Sequence, residues 1–234
     1  RVTGKARFGI LAAVTPVIDN YSTIHSLLGE RFLKLRPLAN KEEAVLNAAR
    51  TEGQESTMRH EIAEILDLFM TYYVRLHPSE VWKLSDDELT QISMLADITA
   101  TLRSPILRDR YQHIVFQSEP EFGTRLVKQF IRVGRVLHWM NAYHYSTLIR
   151  LAQDCIPKVR WTVLQLLAHL EKPLPLSVIS SKRHLSRYLA QTACEDLRLL
   201  GAAYVESNPS DSYALLPEFR EKLVGAGLLC EETK

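Results

Sequence analysis

The alternation of apolar and polar positions predicts a series of amphipathic helices over most of the chain. Apolar residues recur at helical spacing over residues 55–77, and this stripe stops at Pro78. Ser85, with acids at the next three positions, predicts a capped helix that runs toward Pro105. A further helical stripe occupies residues 126–140. We therefore expect a mainly α-helical chain that contains only short strands.

Residues 111–117 interrupt this series. Polar and apolar side chains alternate there well enough to predict either a short strand or an extended linker. Neither this segment nor the helices before it carry a pattern typical of catalysis. We expect most of the helical region to form core and scaffold.

The C-terminal third has a different order of elements. An amphipathic helix is predicted over residues 157–171, followed by a Pro-rich break, a short segment at 176–179 and a polar basic turn at 180–184. The next helix is predicted to start near residue 185, to be capped by Gly201, and to have one apolar face formed by Leu185, Leu189, Ala193, Leu197 and Leu200. Two β-like runs joined by a turn cluster come next. A last helix is predicted at 218–224. This order of elements resembles the winged-helix fold, in which a helix is followed by a helix-turn-helix, a glycine and a hairpin.

The polar side of this helix-turn-helix carries the residues that we expect to contact DNA. A recognition helix places its N-terminal side chains in the major groove, while Lys, Arg and backbone N–H groups hold phosphates. Arg187 and Gln191 share one helix face, from which they would reach base edges. The predicted DNA-binding residues are Ser181, Lys182, Arg183, His184, Ser186, Arg187 and Gln191.

Winged helices also serve as protein-docking modules, and two features favour that alternative. The predicted wing tip carries Asp211 and no Lys or Arg, and Glu195 with Asp196 make the second half of the helix acidic. Positive charge is nevertheless concentrated at the start of the helix. DNA contact is therefore the preferred interpretation, with weak and largely non-specific binding.

The N-terminal part of the chain carries a second pattern. The apolar run at 8–14 is typical of a buried parallel strand, and it stops at Thr15 and Pro16. Ligands of open α/β sheets bind beyond such strand tips. Further along, Arg31 stands between a Gly-Glu turn and a second apolar, strand-like run.

This pattern resembles a stretch of the minichromosome-maintenance (MCM) type of AAA+ helicases. The resemblance implies that Thr15 is the sensor 1 residue and that Arg31 is the arginine finger, which acts in trans on the nucleotide of a neighbouring subunit. Thr stands where Asn is usual, and Gly29-Glu30 stands where Leu-Ser is usual. The chain therefore resembles a distant member of that superfamily.

The helix predicted after the Pro-Glu loop resembles the AAA+ lid. In that family an Arg near the start of this helix is sensor 2, which contacts the nucleotide. The resemblance implies that Arg125 is a cofactor-binding residue. The alternative, which the spacing leaves open, is that Arg125 is one of several solvated arginines of the helix.

The printed sequence contains neither a GxxxxGK[ST] phosphate-binding loop nor an apolar strand that ends in paired acids. In the family both elements precede the sensor 1 strand. We therefore interpret the chain as the C-terminal part of a longer ATPase. We expect no cofactor and no ATP hydrolysis in this fragment, with ATP and Mg²⁺ bound by the intact parent.

Composition limits which classes of protein the chain can belong to. The 234 residues have room for two domains, or for one domain with an appendage, and the net charge of +2 means that any basic patch must be local. Cys155, Cys194 and Cys230 are scattered, which favours a reducing compartment and argues against a zinc site. The apolar runs are too short to span a bilayer, and no signal-peptide pattern is present. We expect a cytoplasmic protein with no membrane partner and no bound metal.

Together these patterns predict a remnant of an AAA+ α/β core at 1–37, a helical lid region at 38–156 and a winged-helix domain at 157–234. The resemblance implies ATP-driven DNA unwinding or remodelling by a homo-oligomeric ring, in replication of a chromosome or a mobile element. Its partners would be DNA and the neighbouring subunits. The alternative is a stand-alone winged-helix transcriptional regulator whose helical N-terminal half dimerises or binds a ligand.

Overall fold

A computed structural model describes residues 12–14, 32–37, 40–75, 83–117, 119–120, 122–170, 172–207 and 211–229. Within these ranges the chain is mainly helical and has two small antiparallel sheets, so the predicted mainly α character is confirmed. Thr15 and Arg31, the predicted sensor 1 and finger residues, lie outside the described residues.

The first two helices are α1 (Lys41–Arg50) and α2 (Glu55–Arg75). Asn40 caps α1 by accepting hydrogen bonds from the backbone N–H groups of Glu42 and Glu43 at 3.1 and 3.4 Å. The predicted apolar stripe of α2 is helical, but its side chains are exposed from residue 55 to residue 72, so the expectation that this helix forms core is wrong. Helical periodicity determines which face is apolar, whereas burial depends on what packs against that face.

Helix α3 (Asp86–Arg103) starts at the predicted cap. The Ser85 hydroxyl accepts from the backbone N–H of Glu88 at 3.2 Å, and the Glu88 carboxylate accepts from the backbone N–H of Ser85 at 2.8 Å. This reciprocal pair is a capping box. Ile92, Leu95 and Leu102 of α3 are fully buried.

A two-stranded hairpin follows, formed by β1 (Ile106–Arg108) and β2 (Ile114–Gln117) in antiparallel register. The predicted strand of residues 111–117 therefore exists only in its second half, because its first half makes the turn. All four residues of β2 are exposed.

Helices α4 (Thr124–Trp139), α5 (Tyr145–Cys155) and α6 (Lys158–His169) come next. Leu126 and Phe130 anchor α4 in the core. Gly123, just before α4, lies so close to α3 that a Cβ there would stand 2.8 Å from the backbone nitrogen of Asp97. The absence of a side chain at this position lets the two helices approach.

The remaining elements are β3 (Leu174–Pro175), α7 (Leu176–Lys182), α8 (Arg187–Leu199), β4 (Ala203–Ser207), β5 (Asp211–Leu215) and α9 (Pro217–Gly225). The strands form one antiparallel sheet in the order β3-β5-β4. Gly201 has φ +69°, and the N–H groups of Gly201 and Ala202 bond back to the carbonyls of Arg198 and Leu197. The predicted glycine cap of α8 is therefore confirmed.

Two expectations for this segment need correction. Ser181 and Lys182 belong to α7 rather than to the turn, and α8 begins at Arg187 rather than near residue 185. Leu189 is 40% exposed, and the buried positions of α8 are Ala190, Ala193, Cys194 and Leu197. From Leu185 to Leu197 the predicted face repeats every four residues, and such a repeat drifts around a helix whose turn takes about 3.6 residues.

One hydrophobic cluster joins helices α3 to α9 and the β3-β5-β4 sheet. It runs from Ile92 in α3 to Leu228 beyond α9, and it includes Ile156 at the predicted boundary between the lid region and the winged-helix domain. The hydroxyl of Tyr145 in α5 lies 3.0 and 3.2 Å from the carbonyl oxygens of Ala226 and Gln91, which share its one proton as acceptors. Burial raises the pKa of Tyr145 to about 12.

The N-terminal strand prediction is wrong over the part that is described. Residues 12–14 are exposed and form no strand, and neither described sheet is parallel. A strand of a parallel sheet is buried because neighbouring strands and helices cover it, and here no described strand pairs with these residues.

Residues 32–37 also form no strand, but they are fixed to the end of α5. The backbone N–H of Arg36 donates to Asp154 Oδ2 at 2.8 Å, and Arg150 Nη2 donates to the carbonyl of Arg36 at 2.7 Å. The Lys34 N–H donates to Cys155 Sγ at 3.3 Å.

In the described part of the chain, no helix is long and apolar enough to cross a membrane.

Candidate nucleic-acid interface

A tight turn connects α7 and α8. The N–H groups of His184 and Leu185 bond back to the carbonyls of Ser181 and Ser180 at 3.3 and 3.0 Å, and His184 has φ +50°. The Ser180 hydroxyl also donates to the Leu185 carbonyl at 2.6 Å. These bonds close the C-terminus of α7 in the way that glycine usually allows, and they fix the angle at which α8 leaves the turn.

The predicted DNA-binding residues lie together on the outside of this turn and along the first turns of α8. Ser186 caps α8 by accepting from the Leu189 N–H at 3.2 Å. The exposed members of the set are Ser181, Lys182, His184, Ser186, Arg187 and Gln191.

Two members of the predicted set are less available than the sequence suggested. Arg183 is half-buried, and its Nε is buried without a hydrogen-bond partner. The Gln191 amide donates to Glu195 Oε1 at 2.9 Å, so one of its donors is already used within α8. Of the Lys and Arg side chains in the predicted set, Lys182 and Arg187 are exposed and Arg183 is not.

The acidic second half of α8 is neutralised from within the molecule. Arg108 of β1 donates to Glu195 at 2.9 Å and to Asp196 at 2.8 Å. Burial works against the charged form of Arg108, but the hydrogen bonds to Asp196 and Glu195 outweigh it and raise the pKa of its guanidinium.

Asp196 has a second partner in α6, where Arg160 Nη2 lies 2.8 Å from its other oxygen. Sequence reasoning missed both arginines because they lie 87 and 36 positions away from their partners, with no local pattern to join them. Glu195 and Asp196 therefore do not oppose DNA as free negative charges would. The positive end of α8 remains exposed while its negative end is paired.

The β4–β5 hairpin adds no positive charge in its described residues. None of the residues at 203–207 and 211–215 is Lys or Arg, and Asp211 accepts a hydrogen bond from the Ser207 hydroxyl at 2.7 Å. The described residues of this hairpin therefore add no cation to those of the α7–α8 surface.

The predicted nucleotide-sensing residues are not brought together within the described part of the chain. Arg125 is the second residue of α4 and is exposed, whereas Thr15 and Arg31 lie outside the described ranges. Arg125 thus occupies the helix start at which the lid resemblance predicted it. Its role as sensor 2 stays a prediction.

Metal and thiol chemistry find no support in the described ranges. No group of three or more His, Cys, Asp or Glu side chains there is arranged to hold a metal ion. Cys155 and Cys194 are buried and are not joined in a disulfide. Burial, and secondarily the charge of Glu195, raise the pKa of Cys194 to about 12, which leaves that thiol protonated and unreactive near neutral pH.

In comparisons with known proteins, no family model, no curated protein and no solved structure matches this chain. Its function is therefore inferred from its own residues.

Proposed function

We propose that this chain binds DNA through the exposed side of the α7–α8 turn and the first turns of α8. The observation that carries the proposal is the charge arrangement of α8. Arg187 at its start and Lys182 at the end of α7 are exposed, whereas the acids of its second half are paired with Arg108 and Arg160. A polyanion approaching this end of the helix meets cations without the repulsion of free carboxylates.

The surrounding architecture supports a winged-helix unit built from α6, β3, α7, α8 and the β4–β5 hairpin. Its helices and strands follow one another in the order typical of that fold, and its antiparallel sheet has the order β3-β5-β4. In such units the second helix of the helix-turn-helix enters the major groove by its N-terminal end. We assign that role to α8.

The proposed binding is electrostatic and weakly specific. Few side chains of the surface can read base edges, since Gln191 is engaged by Glu195 and the described wing carries no cation. We expect a dissociation constant of roughly 10⁻⁴–10⁻⁶ M at physiological salt, the range of non-specific DNA binding.

A charge-reversal experiment tests this proposal. Fluorescence anisotropy with a labelled duplex, at several salt concentrations, compares the wild-type chain with Lys182→Glu/Arg187→Glu. We expect at least about a tenfold loss of affinity and a salt slope smaller by about two units, since each phosphate contact contributes about one. Lys128→Glu/Lys222→Glu changes the net charge equally on exposed positions of α4 and α9, and it should bind nearly as well as wild type. Equal affinities for wild type and the first variant would overturn the proposal.

We further propose that the DNA-binding unit serves a longer ATP-driven helicase or remodelling enzyme of the MCM-like AAA+ kind. The residues that resemble sensor 1, the finger and sensor 2 support this, with Arg125 at the start of α4. The proposal requires a P-loop encoded upstream of Arg1 in the parent reading frame. In an intact parent, Arg31→Ala should lower ATP hydrolysis about 10³–10⁵-fold while the ring still assembles. The chain alone should show no micromolar affinity for ATP in calorimetry.

A stand-alone winged-helix regulator is the second candidate, and α2 favours it. This helix of 21 residues exposes Ile62, Ile65 and Leu66 on its surface, as a dimerisation helix would. Analytical ultracentrifugation distinguishes the candidates. A dimer that Ile62→Glu/Ile65→Glu dissociates, together with a parent frame that lacks a P-loop, would favour the regulator.

A further inference from the structure

The β1–β2 hairpin lies along α8 and is tied to it at three levels. Near the start of α8, the Tyr188 hydroxyl donates a short hydrogen bond to Gln112 Oε1 in the hairpin turn. In the middle, Arg108 holds Glu195 and Asp196. At the far end, Gln117 Nε2 donates to the carbonyl of Leu199 at 2.8 Å. The hairpin turn therefore lies beside the end of α8 that carries the exposed cations.

The turn itself is held in one conformation by Asp109. Its carboxylate Oδ1 accepts from the backbone N–H groups of Tyr111 and His113 at 2.8 and 2.9 Å, and its Oδ2 lies 3.3 Å from His113 Nδ1. Although desolvation acts in the opposite direction, these hydrogen bonds lower the pKa of Asp109. Gln112 takes the left-handed conformation, with φ +71°. The one acid of the turn is thus engaged within it.

The outward side of the turn presents an aromatic ring and a cation. The guanidinium carbon of Arg110 lies 4.6 Å from the centre of the Tyr111 ring, and its Nη2 donates to the Tyr111 hydroxyl at 2.7 Å. The Tyr111 side chain is 64% exposed. An exposed aromatic ring next to arginine is the combination on which unpaired nucleobases stack while the cation contacts the phosphate backbone.

We infer that the β1–β2 turn is a second nucleic-acid contact, which takes an unpaired base and its phosphate next to the duplex held by α8. The inference rests on the proposed function, since α8 supplies the neighbouring duplex site. Tyr111 provides the stacking surface and Arg110 the phosphate contact. Because Gln112 and Tyr188 join the two elements, the chain binds a junction between duplex and single strand more tightly than it binds either form alone.

The residues of the β1–β2 turn are polar or aromatic, whereas β2, the strand that follows, begins with three apolar residues. Ile114, Val115 and Phe116 are exposed along β2, and such side chains fit a protein partner better than a nucleic acid. Docking of a protein on the hairpin is the competing outcome. It predicts that the turn has no effect on DNA affinity.

The test measures the affinity of the full chain for three labelled DNAs of related sequence by fluorescence anisotropy. The DNAs are a blunt duplex, a single strand and a duplex with a single-stranded arm, called the armed duplex. Wild type should favour the armed duplex. Arg110→Ala/Tyr111→Ala should lose about 5- to 150-fold affinity for the armed duplex, the range expected for one stacked base, with little change for the blunt duplex. Tyr111→Phe keeps the ring and should retain the preference, and Val115→Thr, on β2 of the same hairpin, should bind as wild type does.

The outcomes separate the inference from the proposed function. If Lys182→Glu/Arg187→Glu binds every DNA as wild type does, the proposed function fails and the inference fails with it. If that variant loses binding but Arg110→Ala/Tyr111→Ala matches wild type on all three DNAs, the inference alone is overturned. Equal wild-type affinity for the blunt and armed duplexes would overturn it as well. Since all four substituted residues are exposed, circular dichroism should show that Arg110→Ala/Tyr111→Ala and Lys182→Glu/Arg187→Glu are both folded.

Discussion

Arg160 and Asp196 form a largely buried ion pair that joins α6 to α8. The Nη2–Oδ2 distance is 2.8 Å, and the two side chains are 7% and 13% exposed. The other terminal nitrogen of Arg160 donates to the carbonyls of Leu102 and Ser104, at the C-terminal end of α3. One side chain thus satisfies carbonyl groups that a helix end leaves without intrahelical partners, and it holds three helices together.

Removing this guanidinium should be costly. In Arg160→Met, the carbonyls of Leu102 and Ser104 lose their donor and Asp196 keeps only Arg108 as a partner, so we expect the free energy of unfolding to fall by about 1–3 kcal/mol. Urea denaturation followed by tryptophan fluorescence measures the change. Arg198→Met, at an exposed position of the same helix α8, should stay within about 0.5 kcal/mol of wild type. A loss below about 1 kcal/mol for Arg160→Met would show that the pair contributes little.

Gly123→Ala should destabilise the contact between α3 and α4. The added methyl carbon would stand 2.8 and 2.9 Å from the backbone N and Cα of Asp97, and backbone atoms in a buried helix contact have little freedom to move away. We expect a loss of about 1–3 kcal/mol, the usual cost of overpacking. Thr124→Ala, at the neighbouring exposed position, is the matched control for thermal denaturation. Equal midpoints for the two variants would contradict the close approach.

Asp154→Ala should release residues 32–37 from the end of α5. The carboxylate accepts from the Arg36 N–H at 2.8 Å and from Arg150 Nε at 3.2 Å, so the substitution removes the acceptor that joins the segment to the helix. Hydrogen exchange followed by mass spectrometry should show faster exchange in a peptide that covers residues 32–37. Exchange of α8 should be unchanged. Unaltered protection of this peptide would mean that other contacts hold it.

Cys194 should make the protein less stable at alkaline pH. Its pKa rises from 9.0 to about 12 on folding, so the unfolded thiol loses its proton first. The stabilising contribution is therefore complete below about pH 9 and is lost as the pH rises toward 12, with a slope of at most about 1.4 kcal/mol per pH unit.

Urea denaturation between pH 8 and pH 10.5 tests this prediction with wild type and Cys194→Ala. The variant should be less stable at pH 8, because it leaves a small cavity, but its stability should fall less steeply. Parallel curves for the two proteins would show that the thiol does not contribute to the slope.

Local sequence was sufficient at two helix ends where the decisive hydrogen bonds join residues a few positions apart. The Ser85 cap of α3 and the Gly201 terminus of α8 were both predicted and are both present. In each case the chemistry of one or two side chains determines where the helix begins or ends. The surface that carries Lys182 and Arg187 was predicted for the same reason, since both residues flank one turn.

Tertiary structure decided what covers each face and which charges are free. Periodicity marked the apolar side of α2, yet that side is exposed, and it placed Leu189 in a core from which the structure excludes it. The sequence alone indicates a negative patch on α8, but in the folded chain Arg108 and Arg160 lie beside its acids and neutralise them. No local pattern contains these relationships, because burial and ion pairing depend on segments that come together only when the chain folds. The sequence by itself determined most of the helices, the helix ends at Ser85 and Gly201, and the cations beside the start of α8. Only the folded chain determined that the acids of α8 are neutralised and that the β1–β2 turn lies beside those cations.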